Sequence, residues 1–268
     1  MSATEIKLWN WQKLALDGNA TKLTQHTGRG KGARYYTHPD NPSQKLWSST
    51  TILAGTMPKP ALMNWAAKIT REVFTAELVG VIGRELTSDH LESADAKAKS
   101  APRKASQDAK NVGTDAHTVI EKISGGLEVD IPSHIYPIVQ SWQAWKQETG
   151  LDILDQEVSI CDRQSGYAGT VDAVASMICP EHGDRKYVFI DYKTSKAVYD
   201  EYHYQVASYA AAAARDLYGT QHLCCQPSVH GAIVRLGKKE PDFEAVEVDV
   251  KRSYGIFKAA NKLYQALQ

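Results

Sequence analysis

The spacing of apolar residues predicts a helical first part of the chain and a second part in which strands and helices mix. Apolar residues recur at helical spacing in residues 61–81, 114–124 and 136–149. A proline pair precedes the first of these segments, and glycine follows each of the other two. Proline and glycine at these places are ordinary start and stop signals, so we predict three amphipathic helices.

From residue 153 onwards, strand-like stretches dominate the pattern. Three such stretches follow one another, and the helix behind them carries an alanine run that is small enough to pack closely on a sheet. This order predicts an α/β fold of α+β-like character, with a mixed central β-sheet flanked by helices. The predicted elements are strands at 153–161, 166–178, 187–194, 230–236 and 245–250, and helices at 199–218 and 251–268.

Two regions of the first part have weaker patterns. The N-terminal residues are polar, and the Gly-, Pro- and Asn-rich stretch after them predicts a loop with one short strand near residues 33–37. Residues 89–111 are mostly Ala, Ser, Lys and Asp, and Pro102 interrupts them, which predicts two solvated helices around a break or a mobile segment. We therefore divide the chain into a helical N-terminal extension, residues 1–112, and a core, residues 113–268.

Charge and hydropathy narrow the class of protein. The 268 residues include 31 basic and 31 acidic side chains, so a general affinity for polyanions is excluded and any nucleic-acid contact requires local basic clusters. Two such clusters are GRGKGAR, which begins at Gly28, and the stretch from Lys97 to Lys110, although either is also compatible with a solvated surface. No long apolar run and no secretory signal pattern is present, so we expect a soluble, cytoplasmic protein without membrane contact.

The cysteines favour neither disulfides nor a cluster site. There is no C-x-x-C pair, and a disulfide framework is not expected in a cytoplasmic chain of this length. The pair Cys179 and His182 has the spacing of half a zinc site, with its second half open, and a plain turn at Pro180 is the alternative. The four cysteines are Cys161, Cys179, Cys224 and Cys225.

Two acidic residues and a lysine lie within predicted strands. Asp191 and Lys193 occupy alternate positions of one strand and therefore share a face, and Asp172 lies on the strand before it. If the two strands pair, Asp172 and Asp191 converge, and repulsion should raise the pKa of at least one of them. A divalent cation would relieve that repulsion, and hard oxygen ligands suit Mg²⁺ or Mn²⁺. A strand-end salt bridge is the alternative for Asp191 and Lys193 alone.

Further polar residues precede and follow this pair. His117 borders the apolar stripe of its predicted helix, where it could be a packed or surface histidine, or a nitrogen ligand with Glu121 orienting its ring. Glu157 is an accessory acidic ligand or a solvated residue. Gln205 and Tyr209 are one helical turn apart and both can bond phosphate or bases, with Tyr202 supplying aromatic surface nearby or packing on the sheet.

In this order, the residues resemble the PD-(D/E)XK nuclease superfamily and, within it, the RecB-like exonuclease branch. The upstream stretch SSTTILAGTMPKPALMNWAAK is similar to a segment of phage-type and mitochondrial-genome-maintenance-type exonucleases. Iron–sulfur members of the branch carry one cysteine before the core and three after it, a pattern that this chain lacks, so we expect no iron–sulfur cluster. The motifs are His117, GTVD ending in Asp172, IDYKTS with Asp191 and Lys193, and YQVASY with Gln205 and Tyr209.

The resemblance implies a metal-dependent DNA nuclease with a PD-(D/E)XK core. His117, Asp172, Asp191 and the backbone carbonyl of Tyr192 would bind Mg²⁺ or Mn²⁺, and Lys193 would orient the attacking water. Gln205 and Tyr209 would belong to the catalytic set by holding the DNA backbone near the scissile phosphate, and Tyr202 would contact DNA. Apart from the resemblance, a set of basic residues lies shortly before the helix of His117, and we predict that they form a DNA clamp, with a solvated helix as the alternative: Lys97, Lys99, Arg103, Lys104 and Lys110. The expected partners are single-stranded DNA or a duplex end, and recombination or replication proteins. The alternative is a nucleic-acid-binding or recombination-partner module that keeps the fold without turnover.

Overall fold

The computed structural model describes residues 23–28, 33–178, 185–218 and 229–268. Residues Pro58–Asp115 form one compact unit, and the described residues on either side of them form the other. The larger unit contains the sheet and is of the mixed α/β class, as the sequence predicts. Cys179, His182, Cys224, Cys225 and residues 29–32 of the GRGKGAR cluster lie outside the described residues.

A mixed sheet organises the larger unit. Within the described residues it has eight strands in the order β1-β2-β3-β5-β6-β7-β8, and β4 pairs with β5. The pairs β3–β5 and β6–β7 are parallel, and the other neighbours are antiparallel. The strands are β1 (Thr24–Thr27), β2 (Arg34–His38), β3 (Asn41–Ser48), β4 (Asp152–Asp162), β5 (Tyr167–Ile178), β6 (Arg185–Lys193), β7 (Val229–Leu236) and β8 (Phe243–Val248).

The strands before residue 50 are more extensive than the sequence predicts. One short strand is expected near residues 33–37, whereas the structure has β1, β2 and β3. These strands are largely polar, and their buried residues are Tyr36, His38, Leu46 and Ser48. Tyr36 and Leu46 pack against Cys161 and Ala168. The stability of these strands therefore comes from backbone pairing and these few contacts, which hydrophobic periodicity does not reveal.

Six α-helices accompany the sheet in the described residues. They are α1 (Ser49–Thr56), α2 (Pro60–Val79), α3 (Ser88–Ser124), α4 (Tyr136–Thr149), α5 (Asp200–Tyr218) and α6 (Val250–Ala266). The start of α1 follows from its cap, because the Ser48 side chain accepts a hydrogen bond from the backbone N–H of Thr51. None of the described helices is long and apolar enough to cross a membrane.

The core lies where α5 and α6 pack on the sheet. The alanine run of α5 is buried, as its small side chains predict, and it lies in one cluster with Phe189, Tyr167 and Phe257. Gly231 of β7 allows α5 a close approach, since a Cβ there would lie 2.6 Å from a methyl carbon of Val206. The sequence of α5 is therefore matched to a sheet surface that has space for it.

The smaller unit consists of α2 and the first part of α3. The predicted break at Pro102 is wrong, because α3 continues through this residue from Ser88 to Ser124. Proline removes one helical hydrogen bond and strains the turn before it, at a cost of about 3 kcal/mol. Ala94 and Ala98, on the turns just before Pro102, are each only 2% exposed. The proposed division of the sequence at residues 112 and 113 falls within α3.

Candidate functional site

A gap along one edge of β5 creates the site. On this edge β3 pairs with Tyr167 and Ala168, and β6 pairs from Ala173 onwards, while β4 pairs along the other edge. Residues 169–172 therefore lie where β3 and β6 separate. Asp172 is the last residue of this gap, so its side chain is at the point where the sheet opens.

The register of β5 and β6 brings Asp172 and Asp191 together. Ala173 pairs with Ile190, so the next two residues to face each other along the strands are Asp172 and Asp191. The ladder does not continue there; instead Asp172 Oδ2 accepts a hydrogen bond from the backbone N–H of Tyr192 at 2.6 Å. The convergence of the two carboxylates thus agrees with the strand pairing that the sequence predicts.

His117 reaches the same place from the end of α3 that belongs to the larger unit. Its Nε2 lies 3.1 Å from the carbonyl oxygen of Tyr192, and its Nδ1 lies 3.4 Å from Asp172 Oδ1. The ring also makes an edge contact with the Tyr192 ring, at 6.2 Å between centroids. These contacts hold the imidazole through Asp172 and Tyr192 rather than through Glu121.

Glu157 adds a third carboxylate. The register of β4 and β5 pairs Gln156 with Ala173 and Val158 with Val171, which places Glu157 opposite Asp172. Glu157 has a positive φ of 48°, a conformation that non-glycine residues rarely adopt. One ligand atom from each of His117, Glu157 and Asp172 lies within 4.8 Å of the others.

Glu121 lies nearby but outside this group. Its side chain is exposed, and its backbone carbonyl accepts a hydrogen bond from Gln156 Nε2 at 3.2 Å. Glu121 also borders a polar cleft of about 490 Å³ together with Lys122, Ser124 and Asp155. Of the two predicted accessory acids, Glu157 is the one whose carboxylate joins His117 and Asp172.

Lys193 is enclosed by three side chains. Its ammonium forms an ion pair with Asp191, lies 3.4 Å from Gln205 Oε1 and stands 4.9 Å from the centre of the Tyr202 ring. The lysine side chain is 18% exposed and that of Asp191 is 2% exposed. The pair is therefore more than a strand-end salt bridge, because both charges are largely removed from water.

Gln205 and Tyr209 lie behind this pair on α5. Gln205 Nε2 donates to Asp191 Oδ1 at 2.8 Å and to the hydroxyl oxygen of Tyr209 at 2.9 Å. Gln205 is 7% exposed and Tyr209 is 3% exposed. The two residues contact the acid and the lysine as a unit, and little of either is accessible to a polymer.

The electrostatics of the two aspartates differ. Burial raises the pKa of Asp191 to about 6, with the Lys193 ammonium opposing this rise and the Asp172 charge adding to it. The expected raised pKa therefore falls on Asp191, where burial contributes more than repulsion. Burial also acts to raise the pKa of Asp172, but His117, Lys193 and the Tyr192 N–H outweigh it and hold that pKa below its ordinary value.

The other titrating groups respond to the same charges. Burial acts to lower the pKa of His117, but the charges of Asp172 and Asp191 raise it to about 9. Partial desolvation of its carboxylate and the Asp172 charge raise the pKa of Glu157 to about 7. Burial opposes the charge on Lys193, yet Asp191 and Asp172 raise its pKa, so the amine is an ammonium at neutral pH.

The donor set fits a hard divalent cation. Ligand atoms of His117, Glu157 and Asp172 lie within 4.8 Å of one another, and the Tyr192 carbonyl oxygen lies 3.1 Å from His117 Nε2. The Asp191 carboxylate is not in this group and contacts Lys193 and Gln205 instead. Oxygen-rich sites with one nitrogen are typical of Mg²⁺ and Mn²⁺. At neutral pH the charges of Asp172 and Asp191 are balanced by those of His117 and Lys193, so a bound cation would take the place of the His117 proton.

Several residues at the site could not be predicted from the sequence. Tyr36 of β2 has its hydroxyl 3.1 Å from Thr170 Oγ1, and Ser208 Oγ lies 2.7 Å from Ser49 Oγ. These contacts link residues more than 130 positions apart, and no local pattern indicates them. Gly169, by contrast, could be noticed in the sequence, because a glycine inside a strand indicates that another group approaches the backbone closely. The predicted clamp residues Lys97, Lys99, Arg103 and Lys104 belong to the smaller unit.

No protein-family model matches the chain, and no curated protein matches its sequence.

Proposed function

We propose that the protein is a Mg²⁺- or Mn²⁺-dependent DNA nuclease of the PD-(D/E)XK superfamily that hydrolyses phosphodiester bonds. The observation that carries the proposal is the convergence of Asp172, Asp191 and Lys193 beside His117. These residues come from three different elements of the fold, so their meeting is not a trivial result of sequence proximity. The resemblance of the sequence motifs to the RecB-like branch supports the same assignment.

Each residue of the site has a distinct proposed role in hydrolysis. Asp172, Asp191, His117 and the Tyr192 carbonyl would hold the cation, with Glu157 as the accessory acid. A bound cation supplies a water of lowered pKa and polarises the phosphate. Lys193 is charged and buried, so its ammonium donates hydrogen bonds that orient the water and stabilise negative charge on the phosphate oxygens.

Finer assignments rest on the resemblance. Exonuclease action and a role in DNA recombination, repair or replication are properties expected of the RecB-like branch. DNA with single strands or duplex ends is the proposed substrate. Recombination or replication proteins are the proposed partners.

The test uses purified protein with end-labelled single- and double-stranded DNA and Mn²⁺. We expect the wild-type protein to cleave, and Asp191→Asn and Lys193→Ala to lose cleavage. Equal cleavage by all three proteins would identify a contaminant and end the proposal.

The alternative, a DNA-binding module without turnover, predicts a different result in the same experiment. The protein would bind DNA but would neither cleave it nor show Mn²⁺ binding by calorimetry. The complete set of candidate ligands around Asp172 favours the nuclease.

A further inference from the structure

The Gln205 amide bridges the two charged groups of the site. Its Nε2 donates to Asp191 Oδ1 at 2.8 Å, and its Oε1 accepts from Lys193 Nζ at 3.4 Å. A reversed amide would set oxygen against the carboxylate and N–H groups against the ammonium. The observed orientation is therefore the one that the charges favour, and it ties both side chains to α5.

Tyr209 completes the hydrogen bonding of this amide. Its hydroxyl oxygen accepts the second N–H of Gln205 at 2.9 Å. Every polar atom of the Gln205 side chain thus has a partner within the protein. A DNA phosphate could bond this amide only by displacing Asp191, Lys193 or Tyr209.

Gly169 of β5 provides the space that the Tyr209 ring occupies. A Cβ at this position would overlap Cε1 of Tyr209 and lie 3.1 Å from its Cδ1 and Cζ. Such distances are too short for carbon atoms, so any larger residue would push the ring away from the strand. The position of Tyr209 is fixed by the absence of a side chain at Gly169.

The backbone around Tyr209 is held as well. Ser208 Oγ lies 2.7 Å from Ser49 Oγ and 2.6 Å from the carbonyl oxygen of Gln205, and the Ser208 carbonyl accepts from the Tyr167 hydroxyl at 3.1 Å. Ser49 and Ser208 are fully buried. This turn of α5 is therefore anchored to α1 and to the start of β5.

We propose that Gln205 and Tyr209 are positioning residues that orient Asp191 and Lys193 from behind, and that Gly169 seats the Tyr209 ring. This role replaces the DNA contact that the sequence motif predicts for the two residues. Its catalytic consequence rests on the proposed nuclease function, whereas the contacts with Asp191 and Lys193 can be tested without it.

The first test separates positioning from DNA contact with Gln205→Met and Tyr209→Phe. The control, Tyr204→Phe, removes a hydroxyl from the same helix outside this network. DNA affinity is measured with Ca²⁺ in place of Mn²⁺, and the cleavage rate is measured at saturating DNA and Mn²⁺. We expect DNA affinity within about twofold of wild type and a maximal rate lowered about tenfold or more, because misplacing a reacting group by a fraction of an ångström slows chemistry.

The control should keep both the affinity and the rate of the wild type. A large loss of DNA affinity with an unchanged maximal rate in Gln205→Met and Tyr209→Phe would overturn the proposal, because that pattern is the signature of a DNA contact.

The second test does not depend on cleavage. Urea unfolding of Gln205→Met, Asp191→Leu and the double variant forms a double-mutant cycle. We expect the shifts in unfolding free energy to be non-additive, since each single change removes the same hydrogen bond. Additive shifts would overturn the positioning role. If the wild-type protein cleaves no DNA, the proposed function fails while this cycle still decides the inference.

The third test compares two glycines beneath the same helix. Gly169→Ala collides with Tyr209, whereas Gly231→Ala meets the neighbouring Val206 of α5. Both variants should lower stability, but only Gly169→Ala should lower the rate per folded molecule. Equal rates per folded molecule would remove Gly169 from the proposal. If Gly169→Ala does not fold, the rate of Tyr209→Phe and the double-mutant cycle test the positioning role instead.

Discussion

The charged residues of the smaller unit and those around Asp191 are the same residue types in opposite surroundings. In the smaller unit, Lys97 pairs with Glu77 at 2.7 Å and Lys99 with Asp95 at 2.6 Å, and both lysine side chains are more than half exposed. In the larger unit, Lys193 and Asp191 form their pair almost entirely out of water. Close ion pairs are therefore present in both, and only their solvation differs.

This difference determines what each pair can do. An exposed pair contributes about 0–1 kcal/mol to stability, because water competes for both charges. A buried pair is a net cost unless other groups satisfy it, so it persists only where neighbours such as Gln205 and Tyr202 support it. We infer that the smaller unit uses its charges for its surface, and that the larger unit retains buried charges for chemistry.

The largest effect is expected when the lysine is removed from the buried ion pair, and the comparison with an exposed ion pair tests whether burial is the cause. Lys193→Met should destabilise the protein by about 3–5 kcal/mol at pH 8, because Asp191 is left buried and unpaired. The loss should be smaller at pH 5, since the pKa of Asp191 is already about 6 and the acid can take up a proton. Urea unfolding at the two pH values measures this difference.

The matched control is Lys99→Met, whose exposed partner Asp95 remains in water. Its effect should be small at both pH values. Cleavage should fall about a hundredfold or more in Lys193→Met and stay unchanged in Lys99→Met. Similar unfolding free energies for the two variants would show that burial does not distinguish the pairs.

A second prediction concerns His117, which we expect to act on metal affinity rather than on chemistry. His117→Ala should weaken Mn²⁺ binding by roughly tenfold or more, because a nitrogen donor is removed from the cluster. The maximal rate at saturating Mn²⁺ should change less than it does in Lys193→Ala. Calorimetry with Mn²⁺ and a metal titration of the cleavage rate measure the two effects. A variant with wild-type metal affinity would show that His117 is not a ligand.

A third prediction uses the raised pKa values. The pKa of His117 is raised from 6.5 to about 9, so its stabilising charge is fully present below pH 6.5 and is lost as the pH rises through 9. The melting temperature of the metal-free protein should therefore fall over this range. Mg²⁺ binds only when His117 is neutral, so the rise in melting temperature on adding Mg²⁺ should grow with pH. In His117→Gln, both the fall of the metal-free melting temperature and the growth of the Mg²⁺ effect with pH should be smaller. A wild-type melting temperature that is constant between pH 6.5 and 9 would contradict the raised pKa of His117.

The comparison also shows what the sequence could reveal. The strand carrying Asp191 and the helix carrying Gln205 were predictable, because a short run of aromatic and β-branched residues and an alanine run are local signals. The passage of α3 through Pro102 was not, because a proline locally favours a break and nothing in the neighbouring sequence indicates that the helix continues. Local patterns therefore predict which helices and strands form, whereas the residues at which these elements end depend also on tertiary packing.

The candidate site divides in the same way. The order and spacing of the motifs suggested that Asp172 and Asp191 converge, since adjacent strands bring opposite residues together. The burial of Gln205 and Tyr209 could not be predicted from the sequence, because the space above Gly169 that the Tyr209 ring occupies forms only in the folded sheet. The left-handed backbone of Glu157 likewise has no signal in the neighbouring sequence.

The smallest effect on stability is expected for the exposed cations of the smaller unit. Replacing Lys97, Lys99, Arg103 and Lys104 with Ala removes exposed charges, and each pair lost should lower the unfolding free energy by only about 0–1 kcal/mol. If these residues contact DNA, binding should weaken and its salt dependence should flatten by about one unit of slope per phosphate contact. The maximal cleavage rate should be unchanged, because the cluster around Asp191 is intact.

The matched control removes three lysines and one arginine from the exposed surface of α6, at Lys251, Arg252, Lys258 and Lys262. Both quadruple variants change the net charge equally, so a general electrostatic effect would shift them together. A flatter salt dependence in the first variant alone supports DNA binding by the smaller unit. The same slope in both variants, whether altered or not, would reject it, and the exposed charges would then serve only to keep the helical surface in water.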